Sequence, residues 1–150
     1  MQGVLIADYM LNDNSCLIAI FALIMINIKK QIQYWETGSD EELLNAKIMI
    51  DNNRHLAGLF FCHLCLEKIL KALVVKETED HPVRTHHLSL LAEKSGIDFD
   101  EDQDKFISKL QLYQLEGRYP EMFPSEPDTT KAKQYFEQTV NLHKWLKAKL

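Results

Sequence analysis

The stretch RHLAGLFFCHLCLEKILKALVVKE, from Arg54 to Glu77, decides the fold. Its apolar residues Leu56, Leu59, Phe60, Phe61, Leu64, Ile69, Leu70 and Leu73 leave no wide polar face when wound as a helix. A rod that is apolar nearly all round belongs in the middle of a bundle, because each face needs a neighbour to exclude water. The flanking sequence supplies those neighbours. Upstream, Ile32, Trp35, Ser39, Leu43, Ala46 and Ile50 recur at gaps of three or four, which predicts one helical face ending at the Asp51-Asn52-Asn53 turn. Gly38 sits inside that pattern at a cost of about 1 kcal/mol against alanine, and the periodicity runs through it. Downstream, Glu79-Asp80-His81-Pro82 ends the central rod, and a short helix is expected from Thr85, as N-cap, to Gly96. Asp100 with Gln103 reads as a capping box, opening a helix that carries Phe106, Leu110 and Tyr113. That helix should stop near Gly117, since Tyr119-Pro120 disfavours helical geometry. Pro120, Pro124 and Pro127 make residues 120–128 a rigid loop, and a last helix begins near Asp128 and carries Tyr135, Phe136, Val140, Leu142, Trp145 and Leu146. The expected architecture is an all-α, up-and-down bundle of four to five helices.

Composition agrees with one folded domain. The 150 residues are 46% hydrophobic and 26% charged, enough to bury a sizeable core without staples. Seventeen Lys and Arg stand against 22 Asp and Glu, a net charge of −5, which argues against a general nucleic-acid coat and against DNA as a partner. A local basic groove stays open. Three cysteines form no disulfide framework and suit a reducing compartment, so a cytoplasmic location is expected.

The first thirty residues stand apart. Cys16 to Ile28 is the most apolar run of the chain, but a membrane span needs roughly 20 such residues. Asp8 and Asp13 precede the run and Lys29 and Lys30 follow it, the wrong order for a secretory signal. Three readings stay open: an extra apolar segment packed on the domain, a crude signal anchor, and a true start at Met25. The last is favoured, which makes residues 1–24 an extension and 25–150 the domain, with no membrane expected.

Several residues invite chemistry. Cys62 and Cys65 are spaced for zinc or redox work, but a structural zinc site needs four ligands. A reactive pair also prefers a helix N-terminus, whereas these lie mid-helix among Phe and Leu and read as buried small hydrophobes. His86 and His87 are adjacent and point about 100° apart on a helix, so they read as polar helix-start residues rather than metal ligands. No metal or cofactor is expected. His63, Glu67 and Lys71 fall on one stripe of the central helix with Lys68 beside them. The stripe is either a solvated seam held by the Glu67–Lys71 pair or the wall of an anion-binding groove. Arg118 follows Gly117 and precedes Tyr119-Pro120, so its backbone is constrained. Its planar guanidinium can grip phosphate in two places and Tyr119 can stack on a base. Alternatively it neutralises helix-terminal carbonyls or pairs with Glu116 or Glu121.

These pieces carry a resemblance. Tyr34-Trp35, Gly38-Ser39-Asp40-Glu41, Arg54 to Leu64, Glu67-Lys68, Leu70-Lys71-Ala72-Leu73, Thr85-His86-His87-Leu88, Leu91-Ala92 and Glu116-Gly117-Arg118-Tyr119-Pro120 resemble, in that order, a HEPN domain over about residues 25–150. The resemblance implies a bundle that forms a homodimer. It also implies a minimal nucleotidyltransferase partner in a toxin–antitoxin-type pair, with a nucleotide or RNA as ligand. Many family members are metal-independent ribonucleases using an arginine, four to six intervening residues and a histidine at the dimer cleft. This chain departs from that pattern, because Phe123, Pro124 and Ser125 stand where the histidine after Arg118 would fall, and Arg54 and Arg84 lack one too. Without that imidazole, general acid–base cleavage lacks its main agent unless His63 or His86 replaces it. The resemblance therefore points to a nucleotide-, phosphate- or partner-binding module, with Lys68, Lys71, Arg118, Tyr119, His63 and Glu67 as ligand-binding candidates. An RNA-cleaving toxin and a purely structural dimerisation module are the alternatives.

Overall fold

The computed structural model describes residues 14–115 and 127–150. Among them the chain forms five α-helices and one 3₁₀ turn: α1 (Asn14–Asp51), α2 (His55–Thr78), α3 (Leu88–Lys94), α4 (Glu101–Leu110), the 3₁₀ turn Gln111–Leu115, and α5 (Thr129–Lys147). No strand occurs among the described residues.

Helix α2 is the axis of the bundle, and its packing follows from its composition. Leu59, Cys62, Leu66, Ile69, Leu70 and Val74 are buried, together with Leu88 and Leu91 of α3, Ile107 and Leu110 of α4, and Leu142 and Leu146 of α5. Ala46 and Ile50 of α1 close the remaining side. Helices α1 and α2 share the most extensive interface. They run antiparallel, since Ile50 meets Gly58 at one end and Trp35 meets Lys71 further along. At the tip of that hairpin Asn53 adopts a left-handed φ of 57°, a conformation Asn tolerates because its short polar side chain can hydrogen-bond locally. Helix α4 runs antiparallel to α5, with Phe106 against Tyr135 and Phe99 against Trp145. His55 meets Pro127 and Lys76 meets Lys149, so α2 and α5 run parallel, the four longer helices alternate in direction, and α3 is a short insert between the second and the third.

Local signals account for most boundaries. Asp100 and Gln103 form the reciprocal capping box at α4, and Asp128 caps α5 by accepting from Lys131 N at 2.8 Å. Gly96, at φ 67°, closes the turn after α3. The start of α3 corrects the expectation from sequence. The helix opens at Leu88 rather than Thr85, and Thr85 Oγ1 instead accepts from His87 N in a local turn. The free Leu88 amide donates to Gln111 Oε1 at 2.7 Å, so the cap comes from a distant element. Helix α4 gives way to the 3₁₀ turn at Gln111; the expected stop at Gly117 lies outside the described residues, as does most of the proline loop.

Helix α1 runs without a break through residue 25. By length and composition alone it suffices to cross a membrane. Its later part is packed into the bundle, while Leu17, Ile18, Ile20 and Phe21 are exposed.

Candidate functional site

The polar stripe on α2 is buried. His63, Glu67 and Lys71 are almost inaccessible, so the seam is not solvated, while the expected Glu67–Lys71 pair is present and helps to meet the cost of burial. Lys71 Nζ donates to Glu67 Oε1 at 2.7 Å and lies 4.9 Å from the centre of the Trp35 ring. Both Glu67 oxygens are 3.1 Å from His86 Nδ1. His63 Nε2 donates to the His86 carbonyl at 3.1 Å, and Gln111 Nε2 donates to the same oxygen at 3.2 Å. One buried carboxylate thus gathers an ammonium from its own helix and an imidazole from the α2–α3 connection. Sequence reasoning set His86 aside as a metal ligand and named it only as a possible replacement for the absent histidine; no local spacing links positions 67 and 86.

His63 is sealed. Burial pushes its basicity below the ordinary histidine value, partly offset by Glu67. The ring is therefore held neutral with its proton on Nε2. Its Nδ1 meets no hydrogen-bond partner among the described residues and stands 3.8 Å from Glu67 Oε2. Lys68 turns elsewhere: its Nζ donates to Glu42 Oε1 of α1 at 2.5 Å and lies against Gly38. There it borders a surface hollow of about 390 Å³ lined by Lys30, Gln33, Tyr34, Thr37, Gly38, Glu41 and Lys68. Tyr34, one of these residues, is 70% exposed, and its ring meets Trp35 in a T-shaped contact at 5.2 Å between centroids. The structure therefore gathers His63, Glu67 and Lys71 and ties Lys68 to α1. Arg118 and Tyr119 lie outside the described residues. Among the described residues, the Pro127 carbonyl accepts from His55 Nδ1 at 3.0 Å.

Two further groupings look chemical and are not. Ser39 Oγ lies 3.0 Å from His143 Nε2, and Asp40 Oδ1 is 3.5 Å from the same nitrogen. A Ser-His-Asp triad needs its serine and carboxylate on opposite ring nitrogens. Here both converge on Nε2, Ser39 is fully buried, and its hydroxyl donates to the Glu36 carbonyl at 2.7 Å. With Lys147 on Asp40 at 2.5 Å, the group latches α5 to α1. Cys62 and Cys65 are buried; desolvation pushes the Cys62 thiol up to about 12 against a hydrogen bond with Thr139, and raises Cys65 as well. Neither is a nucleophile at neutral pH.

A helical bundle organised around this α2 defines the class of protein. The chain belongs to the HEPN domain family, whose model matches residues 32–149. Two solved structures share the fold. TT1696 from Thermus thermophilus is 18% identical with a TM-score of 0.69, covering 80% of this chain and 98% of its own. ST0689, an archaeal HEPN homologue, is 17% identical with a TM-score of 0.65, covering 79% and 96%. At these identities the likeness is one of fold. A search of curated proteins found no match.

Proposed function

We propose that this HEPN chain is a cytoplasmic binding module for a nucleotide or another phosphate-bearing ligand. It acts as a homodimer alongside a minimal nucleotidyltransferase in a toxin–antitoxin-type pair. We assign it to the branch of the family that carries Glu116-Gly117-Arg118-Tyr119-Pro120 and lacks the arginine–histidine ribonuclease spacing. The observation that carries the reading is the hollow on α1, which Lys30 and Lys68 line together with the exposed Tyr34. Ammonium groups answer a phosphate and an exposed tyrosine ring answers a base. Lys71 is engaged by Glu67 and Trp35, so Lys68 takes over the phosphate role that the sequence shared between them. A phosphate at Lys68 competes with Glu42, so binding should be weak and salt-sensitive. Exposed Leu44 and Ile48, four apart on α1, support a face for the second copy.

Calorimetric titration with ATP and AMP tests this. Heat that Lys68→Ala or Arg118→Ala weakens is expected, and no heat with the wild type rejects the reading. A second reading, an RNA-cleaving toxin with Arg118 and a non-standard histidine, is favoured by one observation: the His86 side chain is 64% exposed while its Nδ1 is held by Glu67.

A further inference from the structure

We infer that the groove between α4 and α5 docks an extended, acidic peptide segment of a partner protein, anchored by an apolar side chain. The groove is separate from the hollow on α1 and rests on neither functional reading above. Two hollows of about 480 and 440 Å³ lie along it and meet at Lys109 and Gln138, which line both. From Thr130 to Trp145 the groove follows α5 for roughly 22 Å of helical rise, the reach of about seven extended residues.

Each part of the groove answers a part of such a ligand. In the larger hollow Phe106 and Leu142 make a buried floor beside the half-buried Trp145, which takes an apolar side chain. Along α5, Gln134, Gln138 and Asn141 fall four and three residues apart on one stripe, all exposed and all lining the groove. Each amide offers a donor and an acceptor, the same pair that a peptide group of an extended chain leaves unmet. A docked helix has its own backbone bonded already and gives this row nothing to hold. The row therefore selects an extended segment over a helical one.

Charge sets the sign of the ligand. Lys109 stands where the hollows meet and makes no ion pair among the described residues, whereas Lys105 is held by Glu101. Lys131, 5.6 Å from the centre of the Tyr135 ring, adds a second cation to the smaller hollow. Two of the carboxylates along the groove are committed to helix ends, Asp100 accepting from Gln103 N and Asp128 from Lys131 N. Asp102 lines the larger hollow alone. The apolar anchor of the peptide thus belongs in the larger hollow and its acidic residues in the smaller one.

The test is a selection of displayed random heptapeptides on the full chain, then fluorescence anisotropy with a labelled selected peptide. Selected sequences should place Asp or Glu within about three positions of a large apolar residue. Exchanging those carboxylates for amides should weaken binding about tenfold, and so should Lys109→Glu, an exposed change that should leave the circular dichroism spectrum intact. Methylating the peptide backbone nitrogens and Gln138→Leu should each weaken it too. Lys133→Glu, the same charge change at an exposed α5 position outside the groove, should not. Absence of enrichment overturns the proposal. So do selected peptides that are basic, that bind Lys109→Glu undiminished, that are helical when bound, or that shift amide NMR signals of α1 rather than α4 and α5. A wild type that self-associates in sedimentation and becomes monomeric in Lys109→Glu makes the occupant a second copy and overturns the partner peptide.

Discussion

Two helical glycines should respond to alanine with opposite signs. A Cβ at Gly58 would overlap Ile50 Cγ1 outright and lie 3.1 Å from Ile50 Cδ1 and 3.4 Å from the Ala46 carbonyl oxygen. Carbon atoms in contact prefer about 3.5–4.0 Å, so both Ile50 approaches are too close and the first is a hard clash. Cγ1 is bonded directly to a stiff β-branched Cβ and cannot swing aside, so α1 and α2 must separate. Overpacking of this kind costs about 1–3 kcal/mol, against a gain of about 1 kcal/mol in helix propensity. Gly58→Ala should therefore lose up to about 2 kcal/mol, the hard clash placing it toward the upper end, with Tm falling by about 2–4 °C for each kcal/mol. At Gly38 a Cβ meets only Lys68, with Cδ at 3.1 Å and Nζ at 3.3 Å, the far end of a flexible side chain. There propensity wins, and Gly38→Ala should gain up to about 1 kcal/mol. Urea unfolding followed by circular dichroism measures both. In an Ile50→Ala background, which removes the obstructing atom, Gly58→Ala should turn neutral or stabilising. A Gly58→Ala protein at least as stable as the wild type, with Ile50 intact, would refute the close-packed α1–α2 seam.

Three further outcomes follow from the same geometry. Glu67→Ala leaves Lys71 buried without its carboxylate and should cost about 3 kcal/mol or more, whereas Glu67→Leu with Lys71→Met should come close to wild-type stability in the same urea titration. Asp128→Ala removes the α5 cap and should cost about 1 kcal/mol, read as a lower urea midpoint. His63 and His143 are both held below their ordinary 6.5 by burial, so the unfolded chain binds more protons than the folded one below that pH. Stability should therefore be level above pH 6.5 and fall as pH drops beneath it, by up to about 1.4 kcal/mol per pH unit for each histidine; urea midpoints that rise on acidification would contradict it.

The bundle was legible because its signals are local and repeated. An all-apolar α2, a three-four stripe on α1, and acidic caps at Asp100 and Asp128 each act within a few residues, and the backbone obeys them. Hydrophobic periodicity reports which face seeks burial, and in a small helical domain few arrangements satisfy every face at once. The composition of His63, Glu67 and Lys71 was equally visible, being one stripe of one helix.

What the stripe does depends on contacts that no spacing encodes. Whether it meets water or partners was decided when the α2–α3 connection brought His86 back across 19 residues onto Glu67. The start of α3 was likewise set by Gln111, 23 residues beyond Leu88. Lys68 and Lys71 are three residues apart, yet one pairs with Glu42 of α1 and the other with Glu67 of its own helix. The sequence by itself determined the helices and their order, because hydrogen bonds to residue i−4 and the burial of one face are properties of neighbouring residues. Only the tertiary structure decided which charges pair and which imidazole faces solvent. Those outcomes depend on which side chains from separate helices arrive at the same few ångströms of low-dielectric space.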